Sequence, residues 1–126
     1  MSTMIITGRL TAAVAAASLA GLLLVGPALA QTQEGTASFY SDKFEGKKTA
    51  SGQAYDKSAL TASHKKLPYG TKVQVTNLAN GKSVVVTVND RMAQSNKSVI
   101  ELSRKAAEEL DFTKTGKTKV KVEVQK

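Results

Sequence analysis

Two runs rich in β-branched side chains, residues 71–78 (TKVQVTNL) and 83–88 (SVVVTV), are joined by Ala79-Asn80-Gly81. Valine and threonine are stiff at χ1 and fit a pleated surface better than a helix. Asn-Gly tolerates the left-handed backbone of a tight hairpin turn. This segment therefore commits the chain to an antiparallel ribbon, which needs further strands to persist in water. The first run sets Val73 and Val75, with Leu78 as a candidate third, among polar neighbours. The second is apolar almost throughout and is expected to be buried on both faces. Residues 118–125 (TKVKVEVQ) alternate Val120, Val122 and Val124 with Lys and Glu, the period of a half-buried strand.

Shorter signals fill the rest. Residues 35–40 (GTASFY) read as a first strand after a flexible lead at 31–34. Residues 41–55 form a polar loop punctuated by Gly46 and Gly52, and an ordered loop that long tends to be functional. Residues 60–62 suggest a short strand ending at His64, and Pro68-Tyr69-Gly70 a turn. Residues 99–102 make another strand, and Ser103 is placed to cap a helix over 104–110 (RKAAEEL). The chain reads as mainly β: a small barrel with one short helix.

The N-terminus is an address. Arg9 precedes an uncharged apolar run at 10–25, Gly26-Pro27 breaks it, and Ala28-Leu29-Ala30 supplies the small residues of a cleavage site. The run is near the lower limit for a membrane anchor, so the Ala-x-Ala ending decides for a signal peptide, residues 1–30, cleaved before Gln31. Export to the periplasm or beyond follows. The chain has 126 residues, no cysteine and one histidine. No disulfide, thiolate metal site or thiol nucleophile is open to it, and a His-rich metal centre or Ser/His triad does not suit it. We expect no metal and no cofactor. A net charge of +8 suits phosphate polymers, yet an exported chain meets anionic wall polymers and not nucleic acid. The lysines alternatively serve only to keep a small β domain in solution.

Several motifs occur in order: GTASFY at 35–40, TASGQAYD at 49–56, LTASH at 60–64, LPYGT at 67–71, VTNL at 75–78, NGKSVVV at 80–86, VNDR at 88–91 and IELS at 100–103. Together they resemble the rare lipoprotein A (RlpA) family of septal peptidoglycan lytic transglycosylases, over essentially all of the chain after the leader. The resemblance implies a six-stranded double-psi β-barrel at 35–126, related in fold to expansins; we expect a monomer. It also implies glycan strands of peptidoglycan as substrate. Cleavage between N-acetylmuramic acid and N-acetylglucosamine would leave a 1,6-anhydro ring, in cell wall remodelling.

Such a reaction needs less than an ordinary glycosidase, which uses two carboxyl groups. The sugar's own 6-hydroxyl attacks its anomeric carbon, so one carboxyl group could protonate the leaving oxygen and then collect the hydroxyl proton. Asp90, at the end of an apolar strand, is the candidate catalytic residue; the alternative is an aspartate that only caps a turn. Arg91 would counteract a burial-raised carboxyl if its side chain turned inward.

Departures from the family sit close by. Gln53 stands where the family has a glutamate, and an amide does not exchange a proton at neutral pH. Either Asp90 acts alone, or a nearby acid such as Asp56 substitutes, or the chain binds glycan without cutting it. Met92-Ala93 replaces the family's Gly-Pro, and Glu101 replaces an aspartate. The lipid-acceptor cysteine and C-terminal SPOR domain of many members are absent, so no stable membrane anchor is expected.

The expected substrate-binding set is Gln53, His64, Tyr40, Asp56, Asn89, Arg91 and Ser38. His64 would bind glycan or orient Asp90, unless it is a hydrogen-bonded structural residue. Tyr40 and Tyr55 would stack on sugar rings or merely cover the barrel. Two readings follow: a lytic transglycosylase, or a non-catalytic, expansin-like module that binds or loosens the wall.

Overall fold

The computed structural model describes residues 32–125; the leader lies outside the described residues, and the signal-peptide expectation with it. The strands are β1 (Thr32–Phe39), β2 (Thr61–His64), β3 (Lys72–Asn77), β4 (Ser83–Arg91), β5 (Ile100–Leu102) and β6 (Thr118–Val124). One short helix, α1 (Arg104–Glu109), and a 3-10 turn at Asp42–Phe44 complete the described elements. The strands close into a barrel in the order β1-β5-β2-β4-β3-β6, the expected six-stranded architecture.

β3, β4 and β6 pair antiparallel, with Val73 opposite Val86 and Val75 opposite both Val84 and Val122. β1–β5 and β2–β4 are parallel, which requires long connections in place of tight turns. Valines 73, 75, 84, 86, 120 and 122 fill the interior with Ala37, Ala62, Ile100 and Leu102. α1 adds Ala106 and Ala107, followed by Leu110 and Phe112, and Phe112 meets Phe39 edge-on at 5.6 Å. Ser103 caps the helix, accepting from Ala106 N while donating to Ala59 O at 2.6 Å. At the other end the Leu110 carbonyl accepts from the amides of Asn77 and Asn80, tying the helix to the hairpin turn. Gly81 in that turn has φ of 81°, a conformation that a side chain strains.

Three expectations are corrected. The lead at 31–34 is not flexible over its described part: β1 starts at Thr32, and residues 32–34 pair with Glu123, Val122 and Lys121 of β6. The end of β6 would otherwise lack a partner on that side. β4 is not buried on both faces; Val84 and Val86 point inward, whereas Val85 is 43% exposed. A single barrel wall has one dry side, and Val85 stands on the other. Leu78 is 47% exposed because the chain has already turned away after Asn77.

Candidate active site

Strand register builds one polar row on the outside of the barrel. Ser38 of β1 pairs with Glu101 of β5, Glu101 with Ser63 of β2, and Ser63 with Asp90 of β4. Their strand neighbours Ala37, Ile100, Leu102, Ala62 and Val88 face the core. Asp90 joins the row because of a bulge: Ala62 pairs with Val88 and Ser63 with Asp90, leaving Asn89 as an extra residue. Side chains alternate along a strand, so an unbroken β4 with Val88 inward would also have turned Asp90 inward. The bulge re-aims it.

Tyr40 lies two residues beyond Ser38 on the same face, and its hydroxyl donates to Asp90 Oδ2 at 2.5 Å. Asp90 Oδ1 accepts from Ala50 N and from Arg91 N, both at 2.8 Å. Three donors thus converge on an acceptor-only group. Burial, then the hydrogen bond to Asp90 and that residue's charge, push the Tyr40 phenol far up, so it stays a donor. Its ring stacks on Tyr55 at 4.3 Å, and Phe44 meets it edge-on. Tyr40 is only 7% exposed, its ring packed against protein and its hydroxyl held on Asp90.

The loop after β1 is more ordered than its composition suggests. Gly46 N bonds to Tyr55 O, Tyr55 N to Lys47 O, and Lys48 pairs with Ala54. Arg104 reaches Asp42 at 2.7 Å, and Tyr55 OH accepts from Arg104 N. This miniature hairpin carries Ala50 to Asp90 and Gln53 to Asn89, whose side-chain amide donates to Gln53 Oε1 at 3.3 Å.

Other expected site residues lie elsewhere. His64 follows Ser63 along β2, so its ring belongs to the opposite face. Its Nδ1 accepts from Lys66 N and Leu67 N, which leaves the proton on Nε2, facing Gln33 Oε1 at 3.0 Å. Burial first, then Arg91, Lys65 and Lys66, push the imidazole pKa down, so the ring is neutral. Both nitrogens are taken by protein groups, and neither reaches Asp90. The Arg91 guanidinium does not turn toward Asp90: it donates to His64 O at 3.0 Å and lies 4.7 Å over the Tyr69 ring. Among the described residues Asp90 forms no ion pair. Asp56 accepts from Ser58 N at 2.8 Å and closes its own turn. Ser38, by contrast, stands in the row beside Glu101, and its hydroxyl accepts from Ser98 Oγ at 3.2 Å.

Two members of the row were missed or left unplaced by the sequence. Ser63 is 1% exposed and interacts with the Tyr40 hydroxyl. Glu101 is half-buried, and burial followed by the charge of Asp90 raises its carboxyl above the usual range. Only the pairing of distant strands brings these two beside Asp90. No cluster of metal-ligating side chains occurs among the described residues.

The family described as lytic transglycolase matches residues 32–122. The endolytic peptidoglycan transglycosylase RlpA of Neisseria meningitidis is 48% identical over 92 residues, 73% of this chain and 38% of that protein. RlpA of Pseudomonas aeruginosa is 53% identical over 89 residues, 71% of this chain and 26% of that protein. The chain therefore spans well under half the length of these relatives. Among solved structures, a Clavibacter michiganensis expansin in complex with cellohexaose aligns with TM-score 0.61 and 19% identity, over 75% of this chain and 50% of that one. The Streptomyces papain inhibitor aligns with TM-score 0.58 and 22% identity, over 76% and 96%. Both share the fold.

Proposed function

The chain belongs to the lytic transglycolase family of RlpA-like double-psi β-barrels, and from that membership we propose that it cleaves the glycan strands of peptidoglycan. The bond broken joins N-acetylmuramic acid to N-acetylglucosamine, and the 6-hydroxyl of the muramic acid closes a 1,6-anhydro ring. Asp90 carries the proton transfer. The observation that supports this most is its carboxylate, held by Tyr40, Ala50 and Arg91 donors on the outer face of the barrel. A group fixed by three bonds loses little freedom when substrate arrives. Gln53 beside Asn89 suits a hydrogen bond to a sugar hydroxyl, as do Ser38 and Asn89. The apolar leader and its Ala-x-Ala ending support export to the wall, where the monomer works without a cofactor.

A second reading rests on Gln53 itself. The amide occupies the family's glutamate position and has no proton to exchange, which suits a module that binds glycan without cutting it. Mass spectrometry of products from purified protein and peptidoglycan separates the two. Anhydro-muramic ends made by the wild type and lost in Asp90→Asn support the enzyme. A wild type that sediments with sacculi but yields no products, with cleavage appearing in Gln53→Glu, supports the binding module.

A further inference from the structure

We propose that Glu101 is the general acid of this cleavage, protonating the leaving glycosidic oxygen, while Asp90 takes the proton of the attacking 6-hydroxyl. The inference rests on the lytic reading above and supplies the second carboxyl group that Gln53 withholds.

The geometry comes from the sheet. Glu101 and Asp90 face the same way from β5 and β4, with Ser63 of β2 between them in register. Two inter-strand spacings put their backbones roughly 10 Å apart, and side chains can narrow that to the ~5–9.5 Å at which carboxyl pairs flank a glycosidic bond. A glutamate also carries its carboxyl one methylene farther from the wall than the aspartate of the family motif.

The two groups have opposite surroundings. Asp90 accepts three hydrogen bonds. The Glu101 carboxyl has no hydrogen-bond or ion-pair partner among the described residues and is half-buried. The titratable groups facing it are Asp90 and Tyr40, neither of them a cation. Burial and the charge of Asp90 both favour its protonated form. The carboxyl favoured in its protonated form is suited to act as the acid, and the one held by three hydrogen-bond donors to act as the base.

The step balances without a co-reactant. The bond from the muramic C1 to the bridging oxygen breaks, its electron pair stays on that oxygen, and the Glu101 proton joins it. O6 bonds to C1 and gives its proton to Asp90. One proton has then crossed from Glu101 to Asp90, and exchange with water resets both.

The test uses the full chain with Glu101→Gln, Glu101→Asp and Asp90→Asn. Release of anhydro-muramic products would be followed against pH, and sedimentation with sacculi would be scored separately. Glu101→Gln should lose roughly 10²–10⁴-fold in rate while still sedimenting. Glu101→Asp should recover part of the rate with its alkaline limb moved. Glu101→Gln within about threefold of wild type would overturn the assignment yet leave Asp90 and the lytic reading intact. A wild type without products overturns both. Should Glu101→Gln fail to fold, carbon-13 titration of wild-type carboxyls decides, because a Glu101 titrating at or below 4.5 overturns the proposal.

Discussion

The two sides of the barrel are built differently. On one side β3, β6 and the first part of β4 run antiparallel, six to nine residues long, with valines alternating inward. On the other, β5 and β2 are three and four residues long, two pairings are parallel, and Asn89 bulges out of β4. Ser38, Tyr40, Ser63, Asp90 and Glu101 all stand on the irregular side. Regular alternation gives a stable wall with one dry face and one bland face. Interrupted pairing lets polar groups from distant stretches share a face without entering the core. Stability and chemistry should therefore be separable by mutation.

The largest separation is expected for Asp90→Asn, with anhydro-product formation falling roughly 10²–10⁴-fold while the thermal midpoint barely moves. Val75→Ala, on the regular side, should do the reverse. Two carbons lost from a fully buried side chain, plus the cavity, cost about 1.5–3 kcal/mol in urea unfolding, with the catalytic rate kept. Tyr40→Phe lies between, losing about tenfold in rate and about 1 kcal/mol, since one donor to Asp90 disappears. Gly81→Ala should cost about 1 kcal/mol through its positive φ and leave activity alone.

The smallest effect is in pH. His64 is lowered in the fold, so the unfolded chain binds more protons below 6.5. Stability from this group is present above 6.5 and is lost as pH falls through the folded value. Glu101 is raised, so its contribution runs the other way, declining as pH climbs from 4.5 toward the folded value. Thermal midpoints measured from pH 4 to 8 should lose the second slope in Glu101→Gln. Both slopes originate on the irregular side.

Much of the regular side was legible in the sequence. Val73 and Val75, then Val120 and Val122, announce their faces by alternation; Asn80-Gly81 announces the turn, and Ser103 the helix. Exposure of Val85 was not legible, because it depends on how many layers the sheet has. Nor was the strand at residues 32–34, whose polar side chains are held by backbone bonds to β6. The motif singles out Asp90, but its orientation depends on a bulge that appears only when β4 meets β2. His64 and Ser63 necessarily face opposite ways, yet which one faces outward is decided by Glu101, 38 residues beyond Ser63.

The closure of the barrel also sets a timetable. The β3–β4 hairpin joins residues a few positions apart, whereas Tyr40 meets Asp90 across 50 residues and Ala37 pairs with Ile100. Short loops close early in folding and long ones late. A chain still emerging, or caught half-folded, would hold its valine ribbon but not the row of Ser38, Glu101, Ser63 and Asp90. The polar row proposed to carry the cleavage is the last part of the barrel to assemble and the first to come apart when it opens.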